Sequence, residues 1–429
     1  MLLSVLVPVY NVAAYLERCM KSLLSMPMES YEVILVDDGS TDESGKLCDE
    51  FKVISEHVQV VHQKHLGLVA TRSAALAVAR GKYVAFVDSD DWVDKELLPQ
   101  LVSDLECRCD IDIAVGRTVR SQDECTNVTY LTRSSEVMER NPAIRAMVNK
   151  DGMHWYLWGK VYRRELFDQL IVDESVTVFE DIDRLWPVVK RAEKILFDDK
   201  YAYHYFINQG GMTKQRCDLN ISSWRVFKRI LLDGPAVDCV KQEIANYYVQ
   251  VFLRHTIEMH FVDKYKFSSE INLYIREMKE TLHISQAMQN ILSDKEYKAI
   301  STDYTSCVDF YDNIFLRLKH MLIHARKDFH YMYIYGIGVV AQYIAAVLNE
   351  LKLSPDAYIV SDGELKSDSF MDRPVYYLSE VSNGEDVVFI LALTGKAEMA
   401  VSDILYKRNE RLSKGKSKIY SVSFPPMIF

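Results

Sequence analysis

The sequence predicts an α/β protein: a doubly wound, mostly parallel sheet in its N-terminal half, a helical connector, and a second, smaller α/β unit at its end. Three observations predict it. Short β-branched runs alternate with amphipathic stretches of helical length from residue 2 to about residue 105. From about residue 218 to 327 apolar residues recur at helical spacing and no strand signal persists. Strand-like runs return at Tyr331, and the first of them enters a glycine-rich turn. The expected regions are therefore 1–217, 218–328 and 329–429.

With 429 residues, 49% hydrophobic and 26% charged, the chain has the composition of an ordinary globular protein with room for two or three cores. A net charge of -10 supplies no positive field for phosphate backbones, which argues against general nucleic-acid binding. The only close cysteine pair, Cys107 and Cys109, lacks zinc or redox spacing, so reduced thiols are expected. Met1 to Val7 has no basic leader segment and no cleavage site before Pro8, so it reads as a first strand. No apolar run approaches the ~20 residues that span a bilayer. The expectation is a cytoplasmic protein whose membrane contact, if any, is peripheral.

Taken in order, Leu2 to Val7 is the first strand, and Pro8, unable to continue a central ladder, predicts a turn into Val9-Tyr10-Asn11. A helix from about Ala13 to Leu24 follows, with Leu16, Met20, Leu23 and Leu24 on one face. Strand Val33 to Val36 delivers Asp37-Asp38-Gly39-Ser40-Thr41-Asp42 to a tight turn. Helix Ser44 to Ser55, strand Val58 to His62 and helix Leu68 to Ala79 continue the alternation. The strand from Tyr83 then runs into Asp88-Ser89-Asp90-Asp91. In open parallel sheets ligands bind outside the carboxyl ends of strands, and acidic oxygens there suit a hard cation that also touches phosphates. The alternative is a capped turn before a helix from Lys95 to Leu105, with Asp91 or Asp94 satisfying free amides. The strand-end loops would gather Tyr10, Asp37, Asp38, Arg72 and Asp88 to Asp91 around one crevice.

Pro8-Val9-Tyr10-Asn11, Asp37 to Asp42, Gly67 to Arg72 and Asp88 to Asp91, in this order, resemble the family 2 glycosyltransferases of the GT-A fold over about the first half of the chain. The resemblance implies that the Pro8–Tyr10 loop and Asp38 hold the uracil of a UDP-sugar and that Arg72 contacts the nucleotide. It implies that Asp88 and Asp90 form the DxD element around Ser89. Asp88 would lie nearer the ribose, and Asp90 would coordinate a Mn²⁺ or Mg²⁺ that bridges the diphosphate. Asp91 adds charge to that metal site. The chain departs from the family pattern at His65-Leu66-Gly67, where Asn-Gly-Gly is common, and at Ser73, where asparagine is usual. These departures leave the donor sugar open, and His65 reads as either a donor contact or a surface loop residue.

Farther on, Ile111 to Val115 reads as a strand, the stretch with Arg117 and Arg120 as a hairpin, and Asn141-Pro142 as the start of a helix to Val148. Asn127-Val128-Thr129 fits the N-glycosylation pattern, but without a secretory signal it reads as fortuitous. Trp158 to Phe167 resembles a family segment that walls the donor and acceptor pocket, making Trp158 and Lys160 candidate contacts; the alternative is core. Glu180 and Asp181 precede the helical run Ile182 to Arg191, where acids complement the positive helix end. The resemblance implies that one of the pair is the general base, by position Asp181 ahead of Glu180, and that Glu180 orients the acceptor or its neighbour. Tyr201 to Phe206 and the loop to Arg216 resemble the family's closing segment. Gly210 and Gly211 would supply its hinge, and Lys214 and Arg216 would screen the diphosphate. His204 is a candidate metal ligand or a packed histidine.

Tyr247, Tyr248, Val251, Phe252 and His255 mark the helical connector, and Arg317 to Lys327 is a basic amphipathic piece that suits a membrane surface or a solvated face. Strand Tyr331 to Tyr335, the turn Gly336-Ile337-Gly338-Val339-Val340-Ala341, strand Ala357 to Val360 ending at Ser361-Asp362, and strand Val387 to Leu393 match a dinucleotide fingerprint. No dehydrogenase set accompanies it. The unit resembles the small Rossmann-like modules appended to bacterial sugar-modifying enzymes, so docking, homo-oligomerisation or nucleotide-sugar sensing is expected ahead of redox work. Lys407, Arg408, Arg411, Lys414, Lys416 and Lys418 form a basic strip that reads as a solvated face. The sequence thus points to an inverting, metal-dependent transfer of sugar from a UDP-sugar to a hydroxyl of a glycan, wall or capsule polymer, lipid-linked or glycoprotein acceptor. The competing readings are an NAD-linked oxidoreductase and a catalytically weak nucleotide-sugar-binding module.

Overall fold

The computed structural model describes residues 1–121, 127–131, 135–148, 154–176, 179–206, 222–233, 240–262, 268–337, 339–361, 369–381, 386–392, 401, 405 and 417–421. The chain divides into two compact units, Met1–Ile244 and Ala245–Phe429.

In the first unit the elements are β1 (Leu3–Val9), α1 (Ala13–Leu24), β2 (Tyr31–Asp37), α2 (Ser44–Ile54), β3 (Val58–His62), α3 (Leu68–Val78), β4 (Tyr83–Phe86), β5 (Trp92–Val93) and α4 (Leu97–Cys107). After them come β6 (Ile113–Ser121), β7 (Asn127–Leu131), β8 (Glu136–Glu139), α5 (Arg140–Val148), β9 (Lys160–Arg163), α6 (Glu180–Arg191), β10 (Lys194–Phe206) and α7 (Ser222–Leu231). The sheet runs β3-β2-β1-β4-β9-β6-β10-β5, with β7 on β6 and β8 on β10. Strands β3, β2, β1 and β4 are mutually parallel. Strand β9 runs against both β4 and β6, and β10 is parallel to β6. Every residue of β1 and β2 is buried, as expected for strands covered on both faces. Helix α1 turns Leu16, Cys19, Met20 and Leu23 into that core. Each fully buried Leu or Val contributes about 1.5–3 kcal/mol, so the strand ends are held on a rigid base.

The expected turn at Pro8 does not occur. Strand β1 runs through it, with Pro8 beside Val36 and Val9 beside Asp37. The Val9 carbonyl accepts from the Asp38 amide on the β2 side, so a residue-8 amide would point the other way. There the pairing with β4 stops at Leu6, and the missing N–H breaks no ladder. Strand β10 is longer than Tyr201 to Phe206 because it begins at Lys194 and absorbs Asp198 to Ala202 in a register shift.

Helix α8 (Lys241–Val262) carries the boundary between the units. Helices α9 (Ser268–Glu280), α10 (Leu282–Ile291), α11 (Asp294–Thr302) and α12 (Tyr304–Asp328) follow. Ser293 and Glu296 form a capping box on α11, and Asp303 caps α12 through the Ser306 amide. The last elements are β11 (Tyr331–Tyr335), α13 (Val339–Glu350), β12 (Ala357–Val360), β13 (Ser369–Phe370), β14 (Arg373–Tyr377), β15 (Val387–Leu391) and β16 (Ser417–Ser421). They form a sheet ordered β13-β14-β12-β11-β15-β16, parallel except at β13. The order reverses at β11, and Gly336 with φ 106° opens the turn there. Gly338, Asp362 and the basic residues Lys407 to Lys416 lie outside the described residues. Among the described residues no helix is long and apolar enough to cross a membrane.

Candidate active site

Parallel pairing puts the carboxyl ends of β1, β2, β3 and β4 on one rim, and the loops there are tied together before any ligand arrives. Asn11 accepts from the Thr41 amide at 2.8 Å, and its own amide donates to Ser40 Oγ at 3.1 Å. Tyr10 beside it is exposed and stacks on His65 with ring centroids 4.1 Å apart. Asp38, after β2, is 2% exposed. One of its oxygens accepts from Gln63 at 2.7 Å and the Leu66 amide at 2.8 Å. The other accepts from the Gly67 amide and His65 Nδ1, both at 2.9 Å. Burial alone would raise this carboxyl, but those donors outweigh it and hold it below the usual carboxylate value. Asp38 thus shapes the loop that carries His65, Leu66 and Gly67.

The acids after β4 point two ways. Asp88 and Asp90 are partly exposed, whereas Ser89 and Asp91 are buried. The Asp90 carbonyl accepts from Arg18 at 2.7 Å, and that guanidinium lies over the Trp92 and Phe206 rings at 4.0 and 4.3 Å. Asp91 accepts from the Tyr203 hydroxyl at 2.6 Å and the Phe206 amide at 2.7 Å. Burial, then the Asp88 and Asp90 charges, push its carboxyl well above the ordinary value. His204 stacks on Trp92 and shares Nε2 with Asp94 at 2.9 Å. Asp91 and His204, read as metal-side residues, are therefore engaged in fastening the acidic loop to β10. Among the described residues no group of three or more His, Cys, Asp or Glu is placed to hold a metal. Asp88 and Asp90 are the partly exposed carboxylates of the Asp88 to Asp91 loop. One or two carboxylates completed by substrate phosphates is the donor set Mg²⁺-type ions take, so these residues fit such an ion.

Arg72, on α3, is 2% exposed. It donates to Asp88 at 3.0 Å, Asp181 at 2.6 Å and Glu180 at 3.4 Å. Glu180 and Asp181 form the first turn of α6, entered through Phe179 at φ 64°. Burial, then the Asp181 charge, raise the Glu180 carboxyl to about 7 against the pull of Arg72. Burial also holds Asp181 above its ordinary value, with Arg72 the chief opposing charge. Two adjacent carboxyls, both raised by burial, form a pair suited to exchanging a proton.

Residues 4–171 match the family model described as glycosyl transferase family 2. The first unit carries a family 2 glycosyltransferase domain. Over 217 residues it is 30% identical to an uncharacterized glycosyltransferase, EpsJ, of Bacillus subtilis (strain 168), covering 50% of this chain and 63% of that protein. It is 40% identical over 223 residues to a poly(ribitol-phosphate) beta-glucosyltransferase of Bacillus spizizenii, covering 49% of this chain and 33% of that one. The chain thus spans less than two thirds of either relative. Its fold is similar to that of S. aureus TarS 1-349 solved in complex with UDP-GlcNAc, with a TM-score of 0.57 at 18% identity, over 72% of this chain and 89% of that one.

Within the glycosyltransferase domain, Trp158 and Lys160 lie behind the crevice wall. Trp158 is 4% exposed and stacks between Tyr156 and Tyr203. Lys160 donates to the Tyr156 carbonyl at 2.6 Å, and burial lowers its ammonium to about 7 despite the nearby Asp181. Sequence reading passed over Arg18, Tyr203 and Arg184. Arg184 donates to Ser73 Oγ at 2.8 Å and the Val69 carbonyl at 2.9 Å, fixing α6 against α3. The available signal was Ser73 itself, a small hydroxyl facing a helix where asparagine is usual. Gly210, Gly211, Lys214 and Arg216 lie outside the described residues.

Proposed function

We propose that this protein is an inverting, metal-dependent transferase that moves a sugar from a UDP-sugar to a hydroxyl of a wall or capsule glycan. The observation that carries this reading is the Glu180–Asp181 pair held by Arg72 against Asp88, which brings a proton acceptor to the acidic strand end. The named relative that acts on poly(ribitol-phosphate) and the fold neighbour solved with UDP-GlcNAc support the acceptor and donor classes. Tyr10 offers the nucleotide base a stacking face, and Asp38 keeps the neighbouring loop amides in place. The acceptor hydroxyl loses its proton to Asp181 as its oxygen bonds to the anomeric carbon, the bond from that carbon to UDP breaks on the opposite face, and the configuration inverts. Glu180 orients the acceptor. Asp90, with Asp88, would hold Mn²⁺ or Mg²⁺, which stabilises the charge that develops on the departing diphosphate. The enzyme would work in the cytoplasm, touching the membrane at most peripherally.

Screening nucleotide sugars for release of the nucleotide, with and without manganese, tests this. One or a few UDP-sugars should release UDP in a metal-dependent way. Release from no UDP-sugar, or equal release in a chelator, would contradict the proposal.

A further inference from the structure

Arg72 stands among three carboxylates from two elements. One terminal nitrogen donates to Asp88 beyond β4, and the other donates to Asp181 and Glu180 at the start of α6. Its Nε is buried with no partner among the described residues. A guanidinium that served a diphosphate would present a face to the crevice, whereas here both terminal nitrogens are engaged by protein oxygens.

We propose that Arg72 is a positioning residue for the transfer step: its fork sets the Glu180–Asp181 pair against the donor-side Asp88, and it is not the diphosphate's partner. This rests on the glycosyltransferase reading above. Without Arg72 the adjacent carboxyls of Glu180 and Asp181 would face each other at the start of α6 with no guanidinium fork to fix them. The charged and titratable groups facing Asp181 are Arg72 from α3, Asp88 from the acidic loop, Lys160 and Tyr162 from β9, and Glu180 and Arg184 from α6. Arg72 is the largest of the opposing charges. Removing that cation makes the acids harder to ionise, so the pH at which the base becomes active rises. Lysine would keep the charge but lose the fixed two-sided fork.

The experiment uses the 429-residue chain with Arg72→Met and Arg72→Lys. It compares UDP affinity by calorimetry in manganese with the pH–rate profile of UDP release from the donor found in the screen. With Arg72 as positioning residue, the UDP dissociation constant stays within about threefold while kcat falls about 10²-fold or more in Met and less in Lys. The acid limb of the Met profile moves to higher pH. A dissociation constant that rises tenfold or more with kcat kept would make Arg72 a nucleotide contact, and a fall in kcat with an unmoved acid limb would make it merely structural; either overturns the proposal. If Arg72→Met does not melt cooperatively, Arg72→Lys decides by the same split of affinity against kcat. A wild-type chain that binds no UDP would refute the proposed function instead, before any variant is compared.

Discussion

Asp38 and the Glu180–Asp181 pair are acids buried in the same unit, yet their surroundings push them in opposite directions. Both are penalised by burial. Asp38 receives two backbone amides, Gln63 and His65, and stays ionised below the usual range. Glu180 has Arg72 at 3.4 Å and the like charge of Asp181 beside it, and rises to about 7. A carboxylate surrounded by donors is a fixed anion that holds a loop, and one short of donors is a group that exchanges protons. Asp91 shows a third arrangement: it is 1% exposed and accepts from the Tyr203 hydroxyl and the Phe206 amide, and burial with the Asp88 and Asp90 charges holds its carboxyl above the ordinary value.

Substitutions separate these roles. Asp181→Asn should keep UDP binding in calorimetry and lose UDP release by about 10²–10⁴-fold, the usual contribution of a positioned base. Comparable turnover in that variant would move the base to Glu180. Asp91→Asn should leave a buried donor unmatched at Tyr203 or Phe206 and cost about 1–3 kcal/mol, read as a lower denaturation midpoint. An unchanged midpoint would return Asp91 to the crevice.

The two smaller effects depend on pH. Because the Glu180 carboxyl is raised to about 7, the folded state keeps a proton that the unfolded chain has lost above the ordinary value of 4.5, so stability falls as pH rises through that window. Glu180→Gln should therefore be more stable than the native chain at pH 8 and should differ little at pH 4, read from urea midpoints at both pH values. Asp38 is lowered, so its contribution is present above the ordinary carboxylate value of 3.8 and is lost as pH falls through its folded value. Asp38→Asn should flatten acid unfolding and cost about 1 kcal/mol at neutral pH, measured by urea titration at both pH values.

Most of the strand and helix framework was readable because hydrophobic period reports burial directly. Ala13–Leu24, Val58–His62 and Tyr331–Tyr335 form where the apolar spacing places them. Pro8 misled because a ladder's need for an amide depends on which side its neighbour occupies, and that is set by where β4 ends. The acids were legible as a cluster and not as individuals. Sequence shows four polar residues from Asp88 to Asp91, but which of them turns inward depends on Tyr203 and Phe206, more than a hundred residues later. The ion pairs of Arg72 were hidden for the same reason, since its partners Glu180 and Asp181 lie on a helix distant in sequence. Trp158 and Lys160 were named from a motif alone; the stacking of Trp158 on Tyr203 and the burial of both become visible only in the fold.

Titrating UDP into the folded 429-residue chain with manganese and then with a chelator addresses the strand-end acids most directly. Saturable heat in manganese that largely disappears in the chelator, and in Asp90→Ala, is the predicted result. Absence of any uptake under manganese-replete conditions, or uptake indifferent to both the metal and Asp90, would contradict it.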